Sequence, residues 1–343
     1  MTKHVLRVLL AASCLHMAWG AEVGLTDEAE AGRVQAASAV KTAEARAQRM
    51  FAARWGVFHH FLAYDCDLDA VWNAKVERLD VEKLADQLSA CGAGFCVLTL
   101  MQNTRYICAP NETYARLTGL TGAYSKRDLP KDLADALAKR DIDLYLYCTS
   151  RGPCDDVAVG AKLGYSKEQK KVSDAFLRNW GSVLEEYAVR YGECVKGWWI
   201  DMCFADMGFT QDRMKILAES IWHGNAKALV GMSSGQKPYF TKCFEREDFI
   251  FGECDDFFLI PRTRFIDGAQ SVVLAPLGAA PDGGGWTLGG CQHDGAYMAD
   301  FVNLVNRNGG VVVLDVKLNG DGSLDADQIQ VLKAIGRKTG RIH

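Results

Sequence analysis

The chain has 343 residues, 49% of them hydrophobic and 24% charged, with a formal net charge of −4 at pH 7. That much apolar material builds a sizeable core and excludes a disordered chain. The mild, unclustered negative charge, with no basic stripe, excludes the footprint of a nucleic-acid binder.

In chain order, residues 1–20 (MTKHVLRVLLAASCLHMAWG) carry basic Lys3 and Arg7, a short apolar run, and small Ala18 and Gly20 ahead of Ala21. This reads as a secretory signal peptide, so an exported protein is expected. A competing reading takes AASC as a lipoprotein site acylated at Cys14, although the segment before it is short for that. Nothing later reaches the roughly 20 apolar residues of a membrane span. Residues 21–50, rich in Ala, Glu and Arg, read as a polar helical lead-in. By length, residues 51–343 suit one α/β barrel as well as two smaller domains, since barrels of roughly 250 residues fold as one unit. Eleven cysteines follow Cys14 and the signal segment, an odd number that leaves at least one unpaired even in an oxidising compartment. Cys96, Cys148 and Cys203 lie in apolar runs and read as small buried hydrophobes. The absence of any Cys-x-x-Cys pair or zinc-like Cys/His spacing gives no reason to expect a metal.

Eight short runs rich in β-branched and aromatic residues read as strands: 55–62, 94–100, 143–150, 197–203, 228–234, 248–253, 271–276 and 310–316. Helical patterns fall between or after them at 80–92, 128–141, 173–192, 213–222, 296–309 and 325–340, with the sixth and seventh units poorly helical. Near-continuous apolar strands alternating with helices signal a parallel sheet covered on both faces. Eight such units predict a single-domain (β/α)₈ TIM-type barrel, whose active site gathers at the C-terminal strand ends. The segment 319–328 has Asn319, Asp321 and Gly322 where a calcium loop has positions three, five and six, but Lys317 and Gln328 occupy its first and last, so a tight turn is expected.

The strand ends bring together His59, His60, Thr99, Gln102, Asn103, Tyr147, Thr149, Ser150, Arg151, Asp201, Ser233, Ser234, Glu253 and Asp315, with Trp55, Trp198, Trp199 and Trp286 nearby. Amides, hydroxyls, imidazoles, an arginine and aromatic faces are what a sugar site uses. No glycine-rich strand-to-helix turn is present, so no nucleotide cofactor is expected. Glycoside hydrolysis needs two carboxyl groups flanking one bond. Asp201 and Glu253, ending strands four and six, fit as nucleophile and acid/base, with His59 or Arg151 keeping Asp201 ionised and Phe251 and Phe257 raising the pKa of Glu253. A lone acid in KGWWIDMCF (196–204) equally fits a buried structural carboxylate. Adjacent strand residues point to opposite faces, so one of His59 and His60 faces the mouth, and the alternation does not say which.

RWGVFHHFLA, LADQLSACGAGFCVLTL, LPKDLADALAKRDIDLYLY, KGWWIDMCF and NGGVVVLDVKLNGDGSLDADQIQVLKAIG, in order from about 54 to 338, resemble the catalytic barrel of family 29 glycoside hydrolases, the α-L-fucosidases, in a divergent bacterial branch. The resemblance implies a retaining glycosidase with Asp201 as nucleophile and His59 or His60 on the sugar. The family's acid/base has no fixed motif, so Glu253 is inferred from position, with Glu245 and Glu247 as competitors. Where the family carries a His-His pair after strand two, this chain has Met101, Gln102 and Asn103, and a barrel without the family's common C-terminal β-sandwich is expected. The expected substrate-binding set is His59, His60, Trp55, Gln102, Asn103, Tyr147, Arg151, Trp199 and Trp286, and the expected partner is a glycan. The alternatives are a glycosidase of the same fold acting on another sugar, and a carbohydrate-binding barrel without turnover.

Overall fold

A computed structural model of the protein describes residues 44–280 and 284–343. The expected signal segment and most of the lead-in lie outside the described residues. The lead-in's end, 44–53, is helical and runs into β1 (Trp55–His59). There follow α1 (Asp69–Arg78), α2 (Val81–Cys91), β2 (Phe95–Met101), α3 (Glu112–Thr118), α4 (Leu129–Ala138) and β3 (Asp143–Thr149). Next come α5 (Val157–Leu163), α6 (Asp174–Tyr191), β4 (Val195–Asp201), α7 (Gln211–Gly224) and β5 (Leu229–Met232). The chain continues through β6 (Phe249–Glu253), β7 (Phe265–Ile266), β8 (Ala269–Pro276), α8 (Gly295–Arg307), β9 (Val311–Asp315) and α9 (Ala326–Lys338).

The strands form one sheet in the order β5-β4-β3-β2-β1-β9-β8-β6, with every neighbouring pair along it parallel. Only β7 is antiparallel, lying beside β8, so the sheet is mixed. It curls until its two end strands meet, and carboxylates stitch the junction. Asp248, just ahead of β6, donates its backbone N–H to Val230 O of β5 (2.7 Å) and accepts Val230 N–H on Oδ2 (2.9 Å). Arg46 holds the same carboxylate through Nε (2.6 Å). Glu247 accepts from Met232 N (3.0 Å) and Cys243 N (2.7 Å). Each carboxylate supplies acceptors that an unpaired strand end lacks, and buried amides left unmet are costly. A curled, mainly parallel sheet of this kind is compatible with a TIM-type barrel.

Two apolar cores follow from the period-2 alternation of the strands. Inside the curl lie Phe58, Phe95, Tyr145, Tyr147, Trp199, Phe249 and Phe251, with Val272, Leu274 and Val313. Between sheet and helices lie their strand neighbours, such as Val57, Trp198 and Ile200, packed on Leu84, Leu133, Trp180 and Leu332. Glycine admits the interior rings: a Cβ on Gly197 would sit 2.7 Å from the Tyr145 ring, and one on Gly231 would overlap Phe249. Helix α2 shows how the outer layer is specified. The Asp80 side chain caps its start by accepting from Lys83 N, Leu84, Ala85, Leu88 and Cys91 face the core, and Gly92 at φ 82° ends it.

All eight expected strands are present, and the weak sixth unit, between β6 and β8, lacks a helix, as does the connection from β5 to β6; the seventh unit does carry one, α8, which corrects the expectation that it is poorly helical. The two-residue β7 is too short to carry an alternation. Helices α1, α3 and α5 were not expected. Helix α1 buries only Trp72 and Val76, which makes no stripe, and α3 and α5 are seven residues each, started by the Asn111 and Asp156 caps. The 319–328 segment is the expected tight turn, closed by a Leu318–Leu324 bridge, with Asp321 taken by Ser323 and Lys83. Every cysteine from Cys66 to Cys291 is a free thiol, most of them buried. No described helix is long and apolar enough to cross a membrane.

Candidate active site

The alternation that sends Phe58, Trp199, Phe251 and Val313 into the curl sends the next inward position of each strand to its C-terminal mouth. Those positions are His60, Asp201, Glu253 and Asp315, with Ser233 following β5. Beneath them the rings of Phe58, Tyr147, Trp199 and Phe251 pack as a floor, with centroids 4.3 to 5.2 Å apart.

Asp201 is ringed by donors. Tyr147 Oη donates to Oδ2 (2.8 Å), while Ser233 Oγ and Met202 N donate to Oδ1 (each 2.6 Å). Trp199 Nε1 in turn donates to Ser233 Oγ (3.0 Å) and fixes its direction. Such a cage suits an anion. Burial, and then the Asp201 carboxylate, push the Tyr147 phenol well above its ordinary range, so it stays a donor.

Glu253 sits oppositely. Its side chain has no hydrogen-bond partner among the described residues, and its backbone N–H donates to Lys237 O (2.9 Å). Burial first, then the carboxylates of Asp201, Asp255 and Asp315, push its pKa up to about 8. Glu253 therefore holds its proton at neutral pH, while Asp201 sits in a site built from hydrogen-bond donors.

The two histidines separate. His59 is fully buried on the outer face, with Nδ1 2.9 Å from Val316 O and Nε2 unpartnered, and burial drives its pKa down to about 4. It faces away from the mouth, which corrects its expected sugar-binding and Asp201-supporting roles. His60 faces inward, its ring 4.1 Å from Phe58, 6.2 Å from Tyr147 and 5.7 Å from Trp286. Its Nδ1 lies 2.6 Å from Asp315 Oδ1.

Trp55 is a second correction. It opens β1 at the end opposite the mouth, is fully buried, and donates to Thr339 Oγ1 (3.2 Å), so no ligand reaches it. Trp199 lies in the floor, while Trp198 lies under the helices. Trp286 is half-buried at the rim, its indole N–H on Asp255 Oδ1 (2.8 Å). Gln102 follows β2 with its Oε1 buried and unpartnered, and Asn103 is buried, accepting from Cys154 Sγ (3.4 Å). Arg151 contacts Tyr165 Oη (3.4 Å) and Met202 Sδ (3.5 Å) and makes no ion pair among the described residues. It does not bond Asp201, whose support comes from Tyr147, Ser233 and Met202 instead. Phe251 lies in the floor below Glu253, whereas Phe257 belongs to the outer core. Of the two competing glutamates, Glu247 is committed to the β5–β6 junction and Glu245 is exposed.

Three non-glycine residues with left-handed backbone gather at these strand ends: Asn103 (φ 59°), Met202 (φ 68°) and Thr287 (φ 63°). Each such residue costs about 1 to 3 kcal/mol and persists where the surroundings over-determine it. Met202 bends so that its amide reaches Asp201, and Thr287 so that its amide reaches Asp315 Oδ2 (2.6 Å).

Neither a protein-family model nor a curated protein matches the chain. Solved structures do. An endo-fucoidan hydrolase of glycoside hydrolase family 107 aligns with TM-score 0.64 at 12% identity, covering 84% of this chain and 63% of that one. A trapped covalent intermediate of a family 29 α-L-fucosidase from Bacteroides thetaiotaomicron aligns with TM-score 0.61 at 15% identity, covering 86% and 74%. An α-L-fucosidase from Lactobacillus casei, in complex with α-L-fucose, aligns with TM-score 0.58 at 13% identity, covering 87% and 99%. The chain shares the fold of fucosidase-like glycoside hydrolases. That likeness spans two families and does not single out family 29. The chain spans between about half and two thirds of the length of the first two family 107 structures, at 63% and 53%.

Proposed function

We propose that this chain is an exported retaining glycoside hydrolase of the α-L-fucosidase type, working from a single (β/α)₈ barrel over residues 51–343. The carrying observation is the pair of carboxyl groups at the ends of β4 and β6 in opposite environments, Asp201 caged by three donors and Glu253 pushed up to about 8. Two carboxyls in environments this different, one met by donors and the other holding its proton, suit a nucleophile and an acid.

In the first step an Asp201 oxygen attacks the anomeric carbon. The glycosidic C–O bond breaks, and Glu253 gives its proton to the departing oxygen. The product is a glycosyl ester on Asp201. In the second step the ionised Glu253 takes a proton from water, whose oxygen attacks the same carbon and releases Asp201. As the ester forms, the charge on Asp201 falls, and the hydrogen bonds from Tyr147 and Ser233 hold the reacting oxygens in place. His60, Gln102, Arg151 and Trp286 offer the polar and aromatic contacts for the sugar.

A second reading keeps the mechanism and makes the substrate a polymer cut internally, as the family 107 neighbours' names describe for them. Exposed Tyr64, Tyr239 and Phe258, on loops following β1, β5 and β6, favour it, because rings at a mouth give platforms for further sugar units. The test is hydrolysis of a panel of aryl glycosides, α-L-fucoside included, and of fucoidan, by wild type and Asp201→Asn. Release from the fucoside that vanishes in the variant supports the first reading. Shortening of the polymer without monosaccharide release supports the second. Sugar binding without turnover in wild type would leave a non-catalytic barrel.

A further inference from the structure

Asp315 ends β9 and is 1% exposed, yet the mechanism above gives it no task. A buried carboxylate is costly unless its oxygens are met. Here one oxygen, Oδ2, accepts the Thr287 amide at 2.6 Å, and the other, Oδ1, lies 2.6 Å from His60 Nδ1. A carboxylate only accepts, so Nδ1 carries a proton. The opposite ring nitrogen, Nε2, has no hydrogen bond among the described residues. The ring is held between Phe58 and Trp286, the latter meeting it edge-on at an interplanar angle of 87°. Position and orientation of His60, and the proton on its Nδ1, are thus set, and the strained backbone of Thr287 (φ 63°) is what delivers the second donor to Asp315.

We propose that Asp315 is a positioning residue: it pins His60 as the Nδ1–H tautomer, so that Nε2 is presented to the site as an acceptor for a sugar hydroxyl. The inference deepens the glycosidase reading and rests on it for the identity of the ligand. Its chemistry makes a sharp demand on Asp315→Asn, a near-isosteric change. The Thr287 amide is always a donor, so the new side-chain oxygen must face it, which turns the NH₂ toward His60 Nδ1. That nitrogen must then accept, and the ring proton moves to Nε2. The acceptor offered to the sugar becomes a donor.

The experiment is ¹⁵N NMR of histidine-labelled full-length protein at neutral pH, with His60 assigned from a His60→Gln variant, followed by titration with L-fucose. Wild type is expected to show the Nδ1–H form, with L-fucose perturbing Nε2. Asp315→Asn is expected to show the Nε2–H form and to weaken L-fucose at least tenfold. With an aryl α-L-fucoside the loss should fall on KM as well as kcat. An Nε2–H form or an imidazolium in wild type overturns the proposal, and so does a flipped tautomer that leaves sugar binding unchanged. The wild-type spectrum decides the tautomer even if the variant fails to fold. An Nδ1–H His60 that responds to L-fucose in a protein that hydrolyses nothing would sink the hydrolase reading while the positioning role stands.

Discussion

Replacing Glu253 by Gln removes one ionisable proton from the mouth and leaves nearly the same shape. In the folded chain this carboxyl titrates at about 8, against an ordinary value of 4.5. Between those two values the unfolded chain has released a proton that the folded chain keeps. The folded state binds more protons, so stability falls as pH rises through the window. The group's contribution is fully present below pH 4.5 and gone above about 8. Each pH unit within the window costs about 1.4 kcal/mol, or about 3 kcal/mol by pH 7. The neutral amide of the variant has no such cost. Chemical unfolding of wild type and Glu253→Gln at pH 5, 6, 7 and 8 should give curves that nearly coincide at pH 5 and diverge in the variant's favour to about 3 kcal/mol at neutral pH. A pH-independent difference would refute the claim that burial and the three neighbouring carboxylates hold this proton. On the proposed mechanism the same proton also governs turnover. Wild-type kcat/KM on an aryl α-L-fucoside should decline above about pH 8, where the acid is lost, and the variant should have no such alkaline limb.

His59 titrates in the other direction. Its folded value of about 4 lies below the ordinary 6.5, so the unfolded chain takes up a proton that the folded one refuses, and stability falls as pH drops through that interval. Thermal unfolding of His59→Asn between pH 4 and 7 should be flatter than that of wild type, by up to about 3 kcal/mol at the acid end. Glu247→Ala strips the acceptor from two amides at the β5–β6 junction, Met232 N and Cys243 N, at a cost of about 2 to 5 kcal/mol. Its unfolding midpoint should drop while kcat per folded molecule is kept. A kcat loss with intact stability would instead make Glu247 the acid.

The strands were legible because each is an apolar run buried on both faces, a signal that needs no partner to be read. The junction that brings β5 to β6 was not, because its links are the side chains of Asp248 and Glu247 reaching backbone amides 18 and 15 residues away. In composition such acids look like surface charge. Trp55 misled for a different reason: an indole near two histidines resembles a sugar platform, but it stands at the start of its strand, and strand starts lie at the end of the sheet opposite the mouth. Position within the strand was available in the sequence and outranks residue type.

The same counting recovers most of the site. Stepping by two from Trp199 reaches Asp201, from Phe251 reaches Glu253, and from Val313 reaches Asp315. It also selects His60 over His59 once one inward residue on β1 is known, and Phe58 is that residue. What alternation cannot supply is the difference between the acids it collects. Asp201 and Glu253 differ in their donors. One is met by a phenol from β3, a hydroxyl beyond β5 and an amide turned back by a left-handed residue; the other is met by none. Those donors come from three separate segments, so the electrostatic contrast exists only once the sheet has curled. The contrast is therefore a property of the closed arrangement and of no single segment.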